Sequence, residues 1–190
     1  MVTIREEKIG DAPGREAVLD AAYGAARFQK PSERLREGRL PADGLSLVAT
    51  DRGRIVGTVR LWHIAAGPGR PALLLGPLAV DPRCRSRGIG SALVRRAIAR
   101  ARFAGHRAIV LVGDAAFYGR FGFTTAPTGR LWMPGRCDRD RLLGLELRPG
   151  ALAGAHGLIG PTGKPAPRPD LNVLIAASGT APRGVVQHAA

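Results

Sequence analysis

Apolar and polar positions change period several times along the chain, and each change marks an element. Val2 to Ile9 alternates and predicts a first strand. Asp11-Ala12-Pro13 is a helix start, and Ala17, Val18, Ala21, Ala22 and Ala25 follow at helical spacing. Pro31 to Glu37 predicts a second short helix closed by Gly38. Leu45 to Thr50 and Ile55 to Ile64 read as strands joined by the turn Asp51-Arg52-Gly53-Arg54. The near-continuous apolar run Ala72 to Val80 predicts a strand covered on both faces. Its Gly76-Pro77 breaks the ladder, because proline has no N–H to give and glycine marks a bulge. This strand is therefore expected to part from a neighbour.

From Gly88 to Ala104 the period returns to helical, with Ile89, Leu93, Val94, Ala97, Ile98 and Ala101 in one stripe and Arg95, Arg96, Arg100 and Arg102 outside it. Ala108 to Val112 is a β-branched strand, and strand, helix, strand implies a right-handed crossover with parallel pairing. Asp114 is placed to cap the short helical segment that follows. Leu142 to Leu147 predicts a last strand. Between them, Trp132 and Met133 stand out as apolar residues in a polar loop, suited either to walling a pocket or to covering the core edge. From residue 150 onward Gly, Ala and Pro dominate. This is read as a tail on a 1–149 domain, with Leu171 to Ile175 an apolar run suited to docking on the domain or on the second subunit of a homodimer.

The chemistry concentrates where the central strand feeds the long helix: Arg83-Cys84-Arg85-Ser86-Arg87-Gly88-Ile89-Gly90-Ser91. The first turn of a helix leaves N–H groups unpaired at the positive end of its dipole. Glycines let an anion approach them, and guanidinium groups add forked donors. A phosphorylated ligand, with a pyrophosphate the best fit, is one reading; an Arg-rich helix start without a ligand is the other. A Walker loop is excluded because no lysine follows either glycine, and a Rossmann fingerprint because Leu93 stands where its third glycine belongs.

Arg85-x-x-Gly88-x-Gly90 resembles the Gln/Arg-x-x-Gly-x-Gly/Ala signature of the GNAT superfamily of acyl-CoA N-acyltransferases. Further on, Phe117-Tyr118-Gly119-Arg120-Phe121-Gly122-Phe123 resembles that family's Tyr-x-x-x-Gly-Phe element, matched at Tyr118, Gly122 and Phe123. The likeness spans about residues 2 to 149. It implies an α/β (α+β) GNAT fold: a central mixed, mostly antiparallel sheet of about 6–7 strands with a splayed parallel pair, and helices on both faces. It also implies acetyl-CoA as cosubstrate and an amine, small-molecule or peptide, as acceptor. By the same resemblance Leu78, Ala79 and Val80 meet the pantetheine arm, and Val80 N–H serves the oxyanion. Arg85, Ser86, Arg87, Gly88, Ile89, Gly90 and Ser91 hold the pyrophosphate, Phe117 and Tyr118 border the coenzyme, and Tyr118 is the general acid. Many members carry a glutamate on the strand before the loop, but Leu73 to Val80 contains no acid. The base is left to His63, at a strand end where a solvated histidine is the ordinary alternative, to a water chain, or to no residue at all with an amine of low pKa. A non-catalytic acyl-CoA-binding or sensing module is the alternative function.

Composition adds bounds. The chain has 190 residues and 45% apolar content, ordinary for a globular domain. Its two cysteines, Cys84 and Cys137, form neither a disulfide framework nor a metal cluster, so no metal is expected. No run reaches the roughly 18 apolar residues of a membrane span, and a cytoplasmic protein is the expectation. The net charge of +14 fits nucleic acid, membrane surface or an anionic ligand. The arginines are spread without dense runs or aromatic interleaving, which argues against nucleic acid.

Overall fold

The hairpin read from residues 45 to 64 forms the middle of the sheet in the computed structural model, which describes residues 1–167. Strand β1 is Val2–Glu6, β2 Ser46–Asp51, β3 Arg54–Ala66 and β4 Pro71–Val80. Strand β5 is Ala108–Val112, β6 Leu131–Trp132, β7 Leu142–Glu146 and β8 Gly157–Pro161. The strands order β1-β2-β3-β4-β5-β7, with β8 pairing both β3 and β6. All neighbours on the main path are antiparallel except β4 and β5.

Helix α1 (Ala12–Tyr23) and helix α2 (Ile89–Phe103) cover opposite faces. The stripe of α2 predicted from periodicity is buried at each of its positions against Val59, Leu61, Leu73, Ile109 and Leu111. Burying each large aliphatic side chain contributes about 1.5–3 kcal/mol, so α2 is anchored where it starts, at the arginine turn. Arg100 leaves the solvated face expected of it and bonds Glu6 and the Gly44 carbonyl at 2.9 and 2.8 Å. On the other face, Val18 and Leu19 of α1 pack on Ala79. A further apolar cluster joins Leu35, Trp62, Leu74, Val110, Met133 and Ile159.

Three elements differ from the sequence reading. Residues 31 to 37 form turns with only a 3-10 segment at Glu33–Leu35, because Leu35 and Arg36 are drawn into the core and leave no helical stripe. The sheet has eight strands among the described residues, not 6–7, since β6 and β8 were unread. Residues 151 to 161 pack as well: Ala151, Leu152, Ala155 and Ile159 are buried, and β8 is laddered to Ile64, Ala65 and Ala66. Glycines on both sides of Leu158-Ile159 hid that strand. Met133 covers the edge of the second cluster, while Trp132 is exposed beneath Arg139, 4.3 Å from its ring. The run Leu171 to Ile175 lies outside the described residues.

Candidate active site

The site opens where β4 and β5 part. Their parallel ladder is limited to Leu73 with Ile109 and Leu74 with Val110. Beyond Leu74 the strands diverge, as the Gly76-Pro77 break predicts. Asp81 N–H donates to Val56 O on β3 at 2.9 Å. Backbone groups alternate along an extended strand, so Ala79 turns its N–H and C=O to β3, while Leu78 and Val80 turn theirs into the gap. Leu78 O accepts the Tyr23 hydroxyl there. Leu78 and Val80 thus turn backbone groups into the gap, while Ala79 lines the groove but offers it no backbone group.

An open groove of about 450 Å³ runs from this gap over the arginine turn to α3 (Ala115–Gly119). Leu78, Ala79, Val80, Arg85, Ser86, Gly88, Ile89, Gly90, Ser91 and Phe117 line it. The amides of residues 86 to 91 have no protein acceptor among the described residues. Ser86 and Gly88 have φ of 63° and 75°, which curls successive N–H groups toward one side. Gly88 is the N-cap of α2, where a side chain at positive φ would be strained.

Arg87 does not reach the groove. Its guanidinium is 3.0 Å from Asp51 and 3.6 Å from Cys84 Sγ. Arg83 likewise turns away, binding Asp81 at 2.7 Å. Of the turn's arginines only Arg85 lines the groove, joined from α3 by Arg120, which sequence reading missed.

A second cavity, of about 200 Å³, lies on the far side of the gap. Tyr118 lines it, and its ring is held by Phe117 and Phe123 at centroid distances of 4.8 and 5.8 Å. Gly113 completes the seat: a Cβ there would stand 2.3 Å from Tyr118 Cε2. Asp114 caps α3 by accepting Phe117 N–H at 2.7 Å, as read from sequence. Burial, with a contribution from Tyr23, raises the Tyr118 pKa above its ordinary value. The hydroxyl therefore stays protonated through neutral pH.

Tyr23, at the end of α1, borders both the groove and the cavity, so the chain's two tyrosines flank their junction. Nothing in its helical position distinguished it. The rest of the cavity comes largely from α1 and the turns after it: Glu16, Arg27, Lys30, Glu33 and Arg36, with Arg60 and Trp62 from β3. Arg27 pairs with Glu16 at 2.5 Å and Arg36 with Glu33 at 2.6 Å. Burial raises the Glu16 pKa, but hydrogen bonds from Arg27 and Arg15 outweigh it and leave the carboxyl below its ordinary value.

His63 is not in the site. Arg60 and Trp62 face the cavity, and alternation sends His63 to the other face of β3, with its ring 5.4 Å from that of His106. The base reading of His63 is corrected accordingly.

The comparisons place this arrangement of unpaired amides at a helix start, a parted parallel pair and a buried phenol in a known family. The family model described as "Acetyltransferase (GNAT) domain" matches residues 42–125. The uncharacterized N-acetyltransferase YhbS of Escherichia coli strain K12 is 36% identical over 128 residues, 65% of this chain and 74% of YhbS. The crystal structure of E. coli YhbS in complex with CoA superposes with a TM-score of 0.71 at 33% identity, covering 85% of this chain and 89% of that one. A GNAT acetyltransferase from Brucella melitensis in complex with acetyl-CoA gives 0.60 at 28% identity, covering 89% and 97%. The chain belongs to the GNAT acetyltransferase family and is an acyltransferase.

Proposed function

We propose that the protein is an acetyl-CoA-dependent N-acetyltransferase that passes acetyl directly to the amine of a small molecule or peptide. The observation that carries this is the gap between β4 and β5, with an amide-rich turn at one end and Tyr118 at the other. The neighbours crystallised with CoA and acetyl-CoA support the same coenzyme here.

In this reading the amides of residues 86 to 91, with Arg85 and Arg120, hold the pyrophosphate. Leu78 N–H and Val80 C=O pair with the pantetheine amides as an added strand would, which leaves Val80 N–H for the thioester. The acceptor nitrogen attacks the thioester carbonyl, Val80 N–H receives the oxyanion, and Tyr118 O–H protonates or hydrogen-bonds the leaving thiolate.

Among the described residues no histidine lines the cavity, and the carboxylates lining it, Glu16 and Glu33, are tied up by arginines. The cavity supplies another way to lose the amine proton. Like charges disfavour a further cation, and the effect is visible on Lys30: burial, then Arg36 and Arg141, lower its pKa. An acceptor amine entering the same surroundings is pushed the same way, toward the neutral nucleophile, and releases its proton to water.

The test is calorimetry with acetyl-CoA, followed by an assay of CoA release over a panel of amines. Micromolar binding with acceptor-dependent release is expected. Absence of acetyl-CoA binding would overturn the proposal.

A further inference from the structure

The cavity beyond the gap carries a charge inventory that selects among acceptors. Arg27, Lys30, Arg36 and Arg60 line it against Glu16 and Glu33. The carboxylates are not spare. Glu16 accepts from Arg27 and Arg15 at 2.5 and 2.6 Å, and Glu33 accepts from Arg36. Arg60 is answered from outside the cavity by Glu7 at 2.5 Å, and Arg27 by Asp20 at 3.0 Å. Lys30 is left over: among the described residues no carboxylate lies within 4 Å of it. Its Nζ rests on the Tyr23 ring instead, 3.8 Å from the centroid. The buried Nε of Arg27 has no hydrogen-bond partner among the described residues. Tyr23 in turn holds Leu78 O in the gap, so Lys30 stands one phenol ring from the edge where transfer occurs.

We propose that the acceptor carries an acidic group, carboxylate or phosphate, beside its amine, and that Lys30 with Arg36 binds that group. This rests on the acetyltransferase reading above. A purely cationic acceptor such as a polyamine would meet a cavity with cations in excess and no carboxylate free to pair with it. An acidic amine gains the partner that Lys30 lacks. The net charge of +14 adds a long-range attraction of the same sign.

The test uses conjugates that carry their own anchor and need no knowledge of the natural acceptor. CoA is S-alkylated with an acetyl linker joined to glycine, aminomethylphosphonate, glycinamide or ethylenediamine, and each conjugate is titrated calorimetrically beside free CoA. The glycine or the phosphonate conjugate should bind at least about tenfold more tightly than the glycinamide one, and the ethylenediamine one most weakly; which acid wins tells carboxylate from phosphate. Lys30→Gln should bring the acidic and amide conjugates to within about threefold of each other. Equal binding of all four by the wild-type protein, or preference for the ammonium, overturns the proposal while leaving the coenzyme site intact. Failure of free CoA to bind would instead sink the acetyltransferase reading, and this one with it.

Discussion

The groove and the cavity meet at Tyr23 and Leu78 but are built from opposite materials. The groove is mostly backbone: amides at the start of α2 and the free edge of β4, positioned by the packing of the α2 stripe. The cavity is mostly side chain, contributed by α1 and the irregular turns after it and locked by a lattice of ion pairs. Backbone recognition tolerates many side chains, so one coenzyme can be served by a short motif. Side-chain recognition changes with each substitution, so the acceptor is an individual property of the chain. Substitutions should therefore separate into those that stop chemistry, those that weaken the coenzyme and those that shift the acceptor.

Tyr118→Phe should have the largest effect. On the role proposed for it, removing a general acid costs about 10²–10⁴-fold in rate, so kcat should fall by at least about 100-fold while calorimetry still finds acetyl-CoA bound. Because burial raises this pKa, the wild-type rate should not decline through loss of the Tyr118 proton below about pH 10, the ordinary tyrosine value. Gly113→Ala tests the same phenol from behind. A Cβ 2.3 Å from its ring must move it, and overpacking of this kind costs about 1–3 kcal/mol. Turnover should fall about tenfold or more, with a lowered melting temperature.

On the groove side, Gly88→Ala forces a side chain to φ 75°, a strain of about 1–2 kcal/mol, and should weaken acetyl-CoA about tenfold by calorimetry. Gly90→Ala should cost less, because its Cβ would meet Val80 and Phe117 at ordinary distances of 3.6 and 3.7 Å. The resembled signature's tolerance of alanine at the second glycine has this physical cause.

The same division explains what could be read in advance. Most groove residues lie close together in sequence because a helix N-terminus is local, and Arg85 to Ser91 with the Gly76-Pro77 break pointed to that stretch. Alternation puts Leu78 and Val80 on one side of β4 and Ala79 on the other, but only the bond from Asp81 N–H to Val56 O shows which side faces the gap. Arg87 and His63 were misplaced for one reason: sequence shows that a charged or basic side chain is near a site, not which way it turns. Asp51, some 36 positions away, draws Arg87 off, and which face of β3 looks into the cavity depends on where α1 and the turns after it lie against the sheet. Tyr23, Lys30 and Arg36 were illegible because their convergence depends on where the turns after α1 lie against the sheet, and that is a tertiary fact.

Tyr23→Phe probes the junction itself and should have a moderate effect. It removes the hydrogen bond to Leu78 O, worth about 0.5–1.5 kcal/mol, but keeps the ring that carries Lys30. Coenzyme affinity and kcat should each fall by no more than about tenfold. A loss as large as that of Tyr118→Phe would mean that the phenol acting on the thiolate is Tyr23, and that the roles of the two tyrosines must be exchanged.

The smallest effect is a pH dependence of the groove's support. Asp81 ends β4 and accepts Arg83 N–H at 3.0 Å and its guanidinium at 2.7 Å. The Arg83 side-chain bond, then the backbone bond, holds its carboxyl at about 2, below the ordinary 3.8. A depressed carboxyl pKa means that its stabilisation is fully present above the unfolded value and is lost as pH falls through the folded one. Asp81 should thus contribute above about pH 4 and fade toward pH 2, with the turn loosening as it does. Because Arg83 is solvent-exposed, the contribution is small and salt-sensitive. Asp81→Asn should lower the melting temperature slightly at pH 7, and the difference from wild type should shrink as the pH falls from 4 toward 2 and in high salt. A difference that grew in acid instead would mean that the turn is held by packing around Cys84 and Ile89, and the groove would then owe its shape, like the cavity, to side chains.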